Sequence, residues 1–343
     1  MKRTIALVLL AALLLTGCAV PETKPAADQQ YTATFLNLFD TVTTIIGREK
    51  TEEAFQEKVQ TIHDDLLSYH ERFDIYNDYD GVNNIKTIND NAGVAPVKVD
   101  KVIIDLLLDC KEYYELTGGK VNVMMGSVLY LWHEARDDGM SDPANASLPD
   151  MAALQEASEH CSFDLLIIDE EASTVYITDP CARLDVGAVA KGWATQRAAE
   201  KAPEGMLLSV GGNVCATGPK LSDGTPWVIG IQDPDAADKN LHTVYITESS
   251  VVTSGDYQRM YWVGEKAYHH IIDPETLMPS NYWRSVSVIC PDSGLADALS
   301  TALFLMDEEA GRELAGKCGA EVLWVAADGT EYLTDGFKEM LRT

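Results

Sequence analysis

The chain has 343 residues, 46% of them hydrophobic and 23% charged, a globular composition long enough for one large domain or two smaller ones. Its formal net charge of −28 argues against nucleic acid as a partner, because a phosphate backbone repels an acidic surface. Any phosphate it binds has to be held by a few placed cations, a metal ion or backbone N–H groups.

Lys2 and Arg3 precede an uncharged apolar run from Ile5 to Leu15. That run is too short to cross a bilayer as a helix and suits the core of a secretion signal. Leu15-Thr16-Gly17-Cys18 follows directly, and small residues before a Cys at this point have the form of a bacterial lipobox, in which the Cys thiol is lipidated. The expectation is a signal peptide over 1–17, lipidation at Cys18 and a flexible tether over 18–30 carrying Pro21 and Pro25. The remainder, 31–343, is expected as one unit, extracytoplasmic and lipid-anchored to the bacterial cell membrane. The alternative is an ordinary secretory signal with an incidental Cys. Cys110, Cys161, Cys181, Cys215, Cys290 and Cys318 are scattered without a CxxC or metal-ligand spacing, and are expected mostly as small core residues.

Phe55, Val59, Ile62, Leu66, Tyr69 and Phe73 alternate four and three apart, which predicts a one-faced helix over 51–73. Asp100 is placed to cap a second helix through Tyr114 that Gly118-Gly119 ends. Residues 136–149, rich in Asp, Ser and Pro, read as a loop before a short helix to about His160. From Asp164 onward short β-prone runs fall at 164–168, 174–178, 206–210, 226–231, 242–247, 249–253, 267–272 and 285–290. Helices are expected near 188–201 and 294–306. Strands clustered together with helices set apart predict an α+β fold, helical in its first part and sheet-rich in its second.

Five segments carry candidate chemistry. Arg183 to Gly192 reads as a strand end, a glycine turn and a helix start, where exposed N–H groups and Lys191 would attract phosphate, or where Lys191 is simply solvated. Gly211-Gly212-Asn213 and Thr253-Ser254-Gly255-Asp256 put glycine and hydroxyls at strand ends, where backbone can approach a ligand or merely turn. His269 and His270 are adjacent, so on a strand one faces a cleft and the other solvent. Asp297 and Thr301 lie four apart on a helix that is apolar nearly all round, so they share one side of a buried helix. A buried carboxylate beside a hydroxyl is a hard-cation pair of the kind Mg²⁺ accepts; equally, Asp297 caps the helix and Thr301 bonds a carbonyl one turn back. Phe39, Tyr69 and Trp132 are aromatics able to stack a planar ring, with core packing the default.

Taken in order, these segments resemble one family, the ApbE-type FAD:protein FMN transferases. The resemblance runs through Phe39-Asp40-Thr41, Leu67-Ser68-Tyr69 with Asn77, Gly119 to Val123 with Leu131-Trp132, Asp185 to Gly192, Gly211 to Asn213, Thr253 to Asp256, His270 to Pro274, and Ala296-Asp297 with Thr301. It implies an ApbE-like, T-fold-like α+β unit with FAD in a cleft between its helical and sheet-rich parts. It also implies Mg²⁺ held by the Ala188 carbonyl, Asp297 and Thr301, and FAD contacts from Phe39, Tyr69, Asn122, Val123, Asp185, Lys191, Gly212, Ser254, His270 and Ile272. The implied reaction cleaves FAD, attaches FMN to a Ser or Thr hydroxyl in an extracytoplasmic domain of a redox protein, and releases AMP. Asp297 or His270 takes the hydroxyl proton. The same site with water as nucleophile would be an FAD pyrophosphatase; without turnover, the protein would be a flavin-binding lipoprotein. Phe39-Asp40 stands in place of Met-Gly, Asn122 in place of a common Asp, Leu277 in place of a Gly, and Ser300 where some members carry a second Asp.

Overall fold

The computed structural model describes residues 28–342; the expected signal peptide, Cys18 and the tether up to residue 27 lie outside the described residues. Among those described, no helix is long and apolar enough to cross a membrane. Gln29 and Gln30, expected in the tether, already pair with Glu49 and Arg48.

The first strands, β1 (Gln29–Leu38) and β2 (Thr41–Glu49), form an antiparallel hairpin whose turn residues Phe39 and Asp40 have φ of 53° and 51°. Side chains rarely adopt this left-handed region, and Asp is among the few that tolerate it. Thr51 accepts the Ala54 N–H and so caps α1 (Glu52–Phe73), whose apolar stripe is buried as its spacing predicts. After α2 (Ile85–Asp90) and β3 (Val97–Lys98) comes α3 (Lys101–Leu116). Asp100 stands at its N-cap position but makes no capping bond, because its carboxylate accepts Arg72 Nε at 2.6 Å instead. The expected loop from 136 is corrected in part: α4 (Gly126–Ser141) carries the chain helically to Ser141. Tertiary contact holds that polar last turn, since Gly139 lies so close to Tyr261 that a Cβ there would meet its ring at 2.7 Å.

Next come α5 (Met151–Ser158), β4 (Leu166–Asp169) and β5 (Thr174–Ile177), and the last two join β3 in a small antiparallel sheet. Then follow α6 (Ala190–Lys201), β6 (Leu207–Val210), β7 (Asn213–Ala216), β8 (Trp227–Asp233), β9 (Ala236–Ile246), β10 (Ser250–Gly255), β11 (Met260–Val263) and β12 (Lys266–His269). The chain closes with β13 (Ser285–Cys290), α7 (Ser293–Phe304), α8 (Glu308–Cys318), β14 (Glu321–Val325), β15 (Glu331–Leu333) and α9 (Asp335–Met340).

One sheet organises the molecule, with strand order β1-β2-β6-β7-β10-β13-β14-β15. Its N-terminal hairpin thus comes from the otherwise helical first part. Every residue of β13 is buried, because the sheet is covered on both faces. On one face lie α6 and α7, which pack on each other and on β7; on the other, a second core joins β8 and β9 to Ile289, Leu323 and Phe337. Leu299, Leu303 and Phe304 are fully buried, each burial contributing about 1.5–3 kcal/mol. This is why α7 is apolar nearly all round and why its one carboxylate needs partners.

Candidate active site

The start of α6 is shaped by a short stretch of backbone. The Asp185 N–H donates to the Val123 carbonyl at 2.8 Å, and Asp185 Oδ1 accepts the Gly187 N–H at 2.9 Å, folding the turn that leads into the helix. In a regular first turn the Gly192 N–H would go to the Ala188 carbonyl. Here it donates to Asp297 Oδ2 at 2.8 Å instead. That approach needs glycine: a Cβ at Gly192 would sit 2.3 Å from the Ser293 carbonyl oxygen and 2.4 Å from Asp297 Cβ.

Asn213, held at the start of β7 by the left-handed pair Gly211 (φ 58°) and Gly212 (φ 92°), donates Nδ2 to the same Asp297 oxygen at 2.8 Å. Lys191 Nζ lies 3.8 Å from that oxygen and 3.4 Å from the Gly187 carbonyl. A carboxylate that is 4% exposed is costly to bury alone; two N–H donors and an ammonium offset the cost here. Neither local alternative for the Asp297–Thr301 pair is realised. Asp292 caps α7 by accepting the Leu295 N–H at 2.7 Å. Ser300, not Thr301, donates to the Asp297 carbonyl at 2.9 Å, and Ser254 Oγ follows 2.8 Å from Ser300 Oγ.

Three oxygens are left over. Among the described residues, the Ala188 carbonyl and Thr301 Oγ1 have no hydrogen-bond partner, and Asp297 Oδ1 accepts no hydrogen bond. A carbonyl, a hydroxyl and a carboxylate oxygen are hard donors, so the residues fit Mg²⁺ with waters and phosphate completing its shell.

His270 borders a crevice of about 260 Å³ of open space, part of it solvent, lined also by Trp132, His133, Arg136, Arg259 and Tyr261. Neither member of the His pair faces plain solvent. His269 Nε2 donates to the Ser280 carbonyl at 2.7 Å with its ring edge-on to Phe304. His270 Nδ1 is buried without a partner. Burial first, then the Arg259, His269 and Lys191 charges, push the His270 imidazole down to about 3. It is therefore neutral at ordinary pH, with one ring nitrogen unpartnered. Between the ordinary value of 6.5 and about 3 the unfolded chain binds a proton that the folded chain does not, so stability falls as pH drops through that window. In His270→Gln, urea unfolding between pH 7 and 4 is expected to show a flatter acid decline than the native chain; an unchanged slope would refute the neutral buried imidazole.

The structure separates the remaining candidates. Tyr69 is a correction: it is 7% exposed, stacked on Phe73 and edge-on to Trp193, with its hydroxyl accepting from Lys201 Nζ at 3.0 Å. Its place in the apolar stripe of α1 puts it in the core rather than on a cleft wall. Asn122 is internally satisfied, accepting the Met124 N–H and donating to the Cys161 carbonyl, each at 2.9 Å. Val123 and Ile272 are buried, which leaves only their backbone for a ligand. Phe39 caps His70, its ring edge-on and its N–H donating to Nδ1 at 3.2 Å. Leu277 holds φ of 59° while 7% exposed; its carbonyl accepts Trp132 Nε1 at 3.0 Å, so Trp132 is a core residue too. Of the segment Gly211-Gly212-Asn213 the resemblance implies a contact from Gly212 alone, whereas it is Asn213 that reaches Asp297. Sequence reading missed Arg259 and His133, whose proximity to His270 depends on the β11–β12 hairpin and has no local signature.

The ApbE family model matches residues 34–324. A FAD:protein FMN transferase of Treponema pallidum (strain Nichols) is 32% identical over 277 residues, covering 75% of each chain. The crystal structure of the ApbE protein from Thermotoga maritima is similar at 30% identity and a TM-score of 0.79, over 92% of this chain and 100% of that one. The flavin transferase ApbE from Vibrio cholerae shares the fold at 24% identity and a TM-score of 0.75, over 92% and 100%.

Proposed function

This chain belongs to the ApbE family, and from that membership and the geometry around Asp297 we infer that it is an FAD:protein FMN transferase. We further propose that the transfer depends on Mg²⁺ and that the acceptor is a Ser or Thr hydroxyl of an extracytoplasmic domain of a redox protein. The observation that carries this reading is the convergence of the Gly192 N–H at the start of α6, Asn213 and Lys191 on the buried carboxylate of Asp297, whose second oxygen accepts no hydrogen bond among the described residues.

FAD presents a diphosphate to a protein of net charge −28, so local cations have to overcome a repulsive field. Lys191 and Arg259, both of which act on His270, supply that attraction, with the positive end of the α6 dipole behind them. Asp297, Thr301 and the Ala188 carbonyl would hold the metal. When bound, Mg²⁺ supplies charge neutralisation on the phosphates and makes AMP a better leaving group. The acceptor oxygen attacks the phosphorus of the FMN half; the bond to the bridging oxygen breaks and AMP departs with that oxygen. The hydroxyl proton has to be taken up. Asp297 Oδ2 already accepts two hydrogen bonds and its other oxygen is the one a metal would use, whereas His270 Nδ1 has no partner in the protein; an incoming anionic diphosphate would raise its proton affinity from the depressed resting value. We assign His270 as the base, and Asp297 as the ligand that keeps its negative charge. Leu15-Thr16-Gly17-Cys18 supports the companion proposal that lipidated Cys18 anchors the protein outside the cytoplasm, on the same membrane as its acceptor.

The deciding experiment incubates the chain with FAD, Mg²⁺ and a purified Ser/Thr-bearing acceptor domain, followed by intact-mass spectrometry. The expected result is an acceptor heavier by one FMN, with AMP in equal amount and no transfer in a chelator. Free FMN with an unmodified acceptor would overturn transfer in favour of hydrolysis.

A further inference from the structure

We propose that the chain carries a second, thiol-containing metal site, remote in chemistry from the magnesium site: His160, Asp179 and Cys181 bind Zn²⁺ or a similarly thiophilic divalent ion. The three are brought together by the fold. His160 follows the end of α5, whereas Asp179 and Cys181 follow β5. One ligand atom from each lies within 4.8 Å of the others.

The cluster is preorganised. Asp179 Oδ1 accepts the Cys181 N–H at 2.8 Å, and Oδ2 accepts from His160 Nδ1 at 2.6 Å, so the carboxylate is already turned toward the imidazole. Side chains of His160 and Asp179 are 26% and 23% exposed and Cys181 is exposed, which leaves an entry path from solvent. In tetrahedral zinc sites the bond lengths to sulfur, nitrogen and oxygen put the ligand atoms roughly 3.3–3.8 Å apart. Small side-chain rotations satisfy that geometry: they draw in pairs now within 4.8 Å and open the 2.6 Å contact between His160 Nδ1 and Asp179 Oδ2. Three protein ligands leave the fourth position to water. Binding releases the Cys181 thiol proton, and the imidazole moves its proton from Nδ1 to Nε2, so the site is filled as a thiolate, a neutral imidazole and a carboxylate.

Chemistry separates the two sites. A thiolate with an imidazole selects zinc-like ions over magnesium, and an all-oxygen set does the reverse. The position gives an ion here a structural consequence. Ser127 Oγ donates to the Cys181 carbonyl at 2.6 Å, and the Gly126 N–H donates to the Arg183 carbonyl at 3.1 Å. An ion would therefore pin the end of α5 to the segment that continues into Asp185 and Lys191.

The test uses the full chain, stripped of metal, titrated with Zn²⁺ against a colorimetric chelator and separately with Co²⁺. One Zn²⁺ per chain is expected, with a thiolate-to-cobalt charge-transfer band. Cys181→Ser should abolish the band and Cys161→Ser should keep it. Cys181→Ser and His160→Gln should weaken Zn²⁺ at least as much as loss of an outer-shell partner, about 10- to 100-fold. Excess Mg²⁺ should not displace the ion. Zn²⁺ should raise the melting temperature of the native chain and not that of Cys181→Ser. Mg²⁺-dependent FMN transfer by Cys181→Ser in a zinc chelator reports that the variant is folded. Equal Zn²⁺ affinity in the variants, absence of the band in the native chain, or displacement by Mg²⁺ would each overturn the proposal.

Discussion

Asp297→Asn is expected to lower the rate of FMN transfer by at least about 10²- to 10³-fold while leaving the protein folded. The two N–H donors, from Gly192 and Asn213, both point at Oδ2. An Asn side chain of the same shape keeps its oxygen there and retains both bonds. Its NH₂ group then takes the place of Oδ1, the oxygen that accepts nothing in the native chain, and presents protons where a cation would sit. The charge facing Lys191 at 3.8 Å is lost as well. Asp297→Ala, by contrast, strands both donors, at about 1–3 kcal/mol for each buried unsatisfied group. Single-turnover transfer read by mass spectrometry, with thermal unfolding of both variants in parallel, separates the roles. Should Asp297→Asn keep its rate within tenfold of the native chain, the carboxylate is only a strut for α6.

Gly192→Ala is expected to abolish transfer and destabilise the fold. Replacing Gly by Ala inside a helix ordinarily stabilises by up to about 1 kcal/mol, so the sign of the change is informative. Here the added methyl would meet the Ser293 carbonyl at 2.3 Å and Asp297 Cβ at 2.4 Å, groups fixed to the backbone of α7 and its first turn. Relief requires α6 to move off α7, which breaks the Gly192 bond to Asp297 and shifts Lys191 with it. Overpacking of this kind costs about 1–3 kcal/mol, or more where backbone has to give. Gly316 in α8 is the control: nothing lies within 4 Å of a Cβ there, and Gly316→Ala should stabilise by roughly 0.5–1 kcal/mol. Melting temperatures of the two variants that moved in the same direction would refute the close-approach argument.

Much of the α+β architecture was legible because period and composition reflect burial directly. The stripe from Phe55 to Phe73 and the all-round apolar α7 announce themselves as one-faced and buried helices. Short strands such as β7 and β14, and the left-handed turn at Phe39-Asp40, carry too few residues for a period to emerge. α4 ran on past a polar stretch because Tyr261, distant in sequence, packs against Gly139. Among the candidate site residues, Lys191, Asp297 and Ser254 were readable as residue types suited to a phosphate and metal, while Tyr69 lies in the core because an aromatic that fits a core stripe looks the same in sequence as one offered to a ring.

By itself the sequence determined the acidic character of the chain, its α+β class, and a short inventory of groups able to hold phosphate and a hard cation. Only the tertiary structure decided which of them meet: that the Gly192 N–H leaves its own helix for Asp297, that Asn213 joins it, and that His160, Asp179 and Cys181, without any recognisable spacing, form one cluster. The physical reason is one of range. Propensity and periodicity report on neighbours within a turn or a strand, whereas a buried charge must find its partners wherever packing brings N–H groups close enough to offset its desolvation.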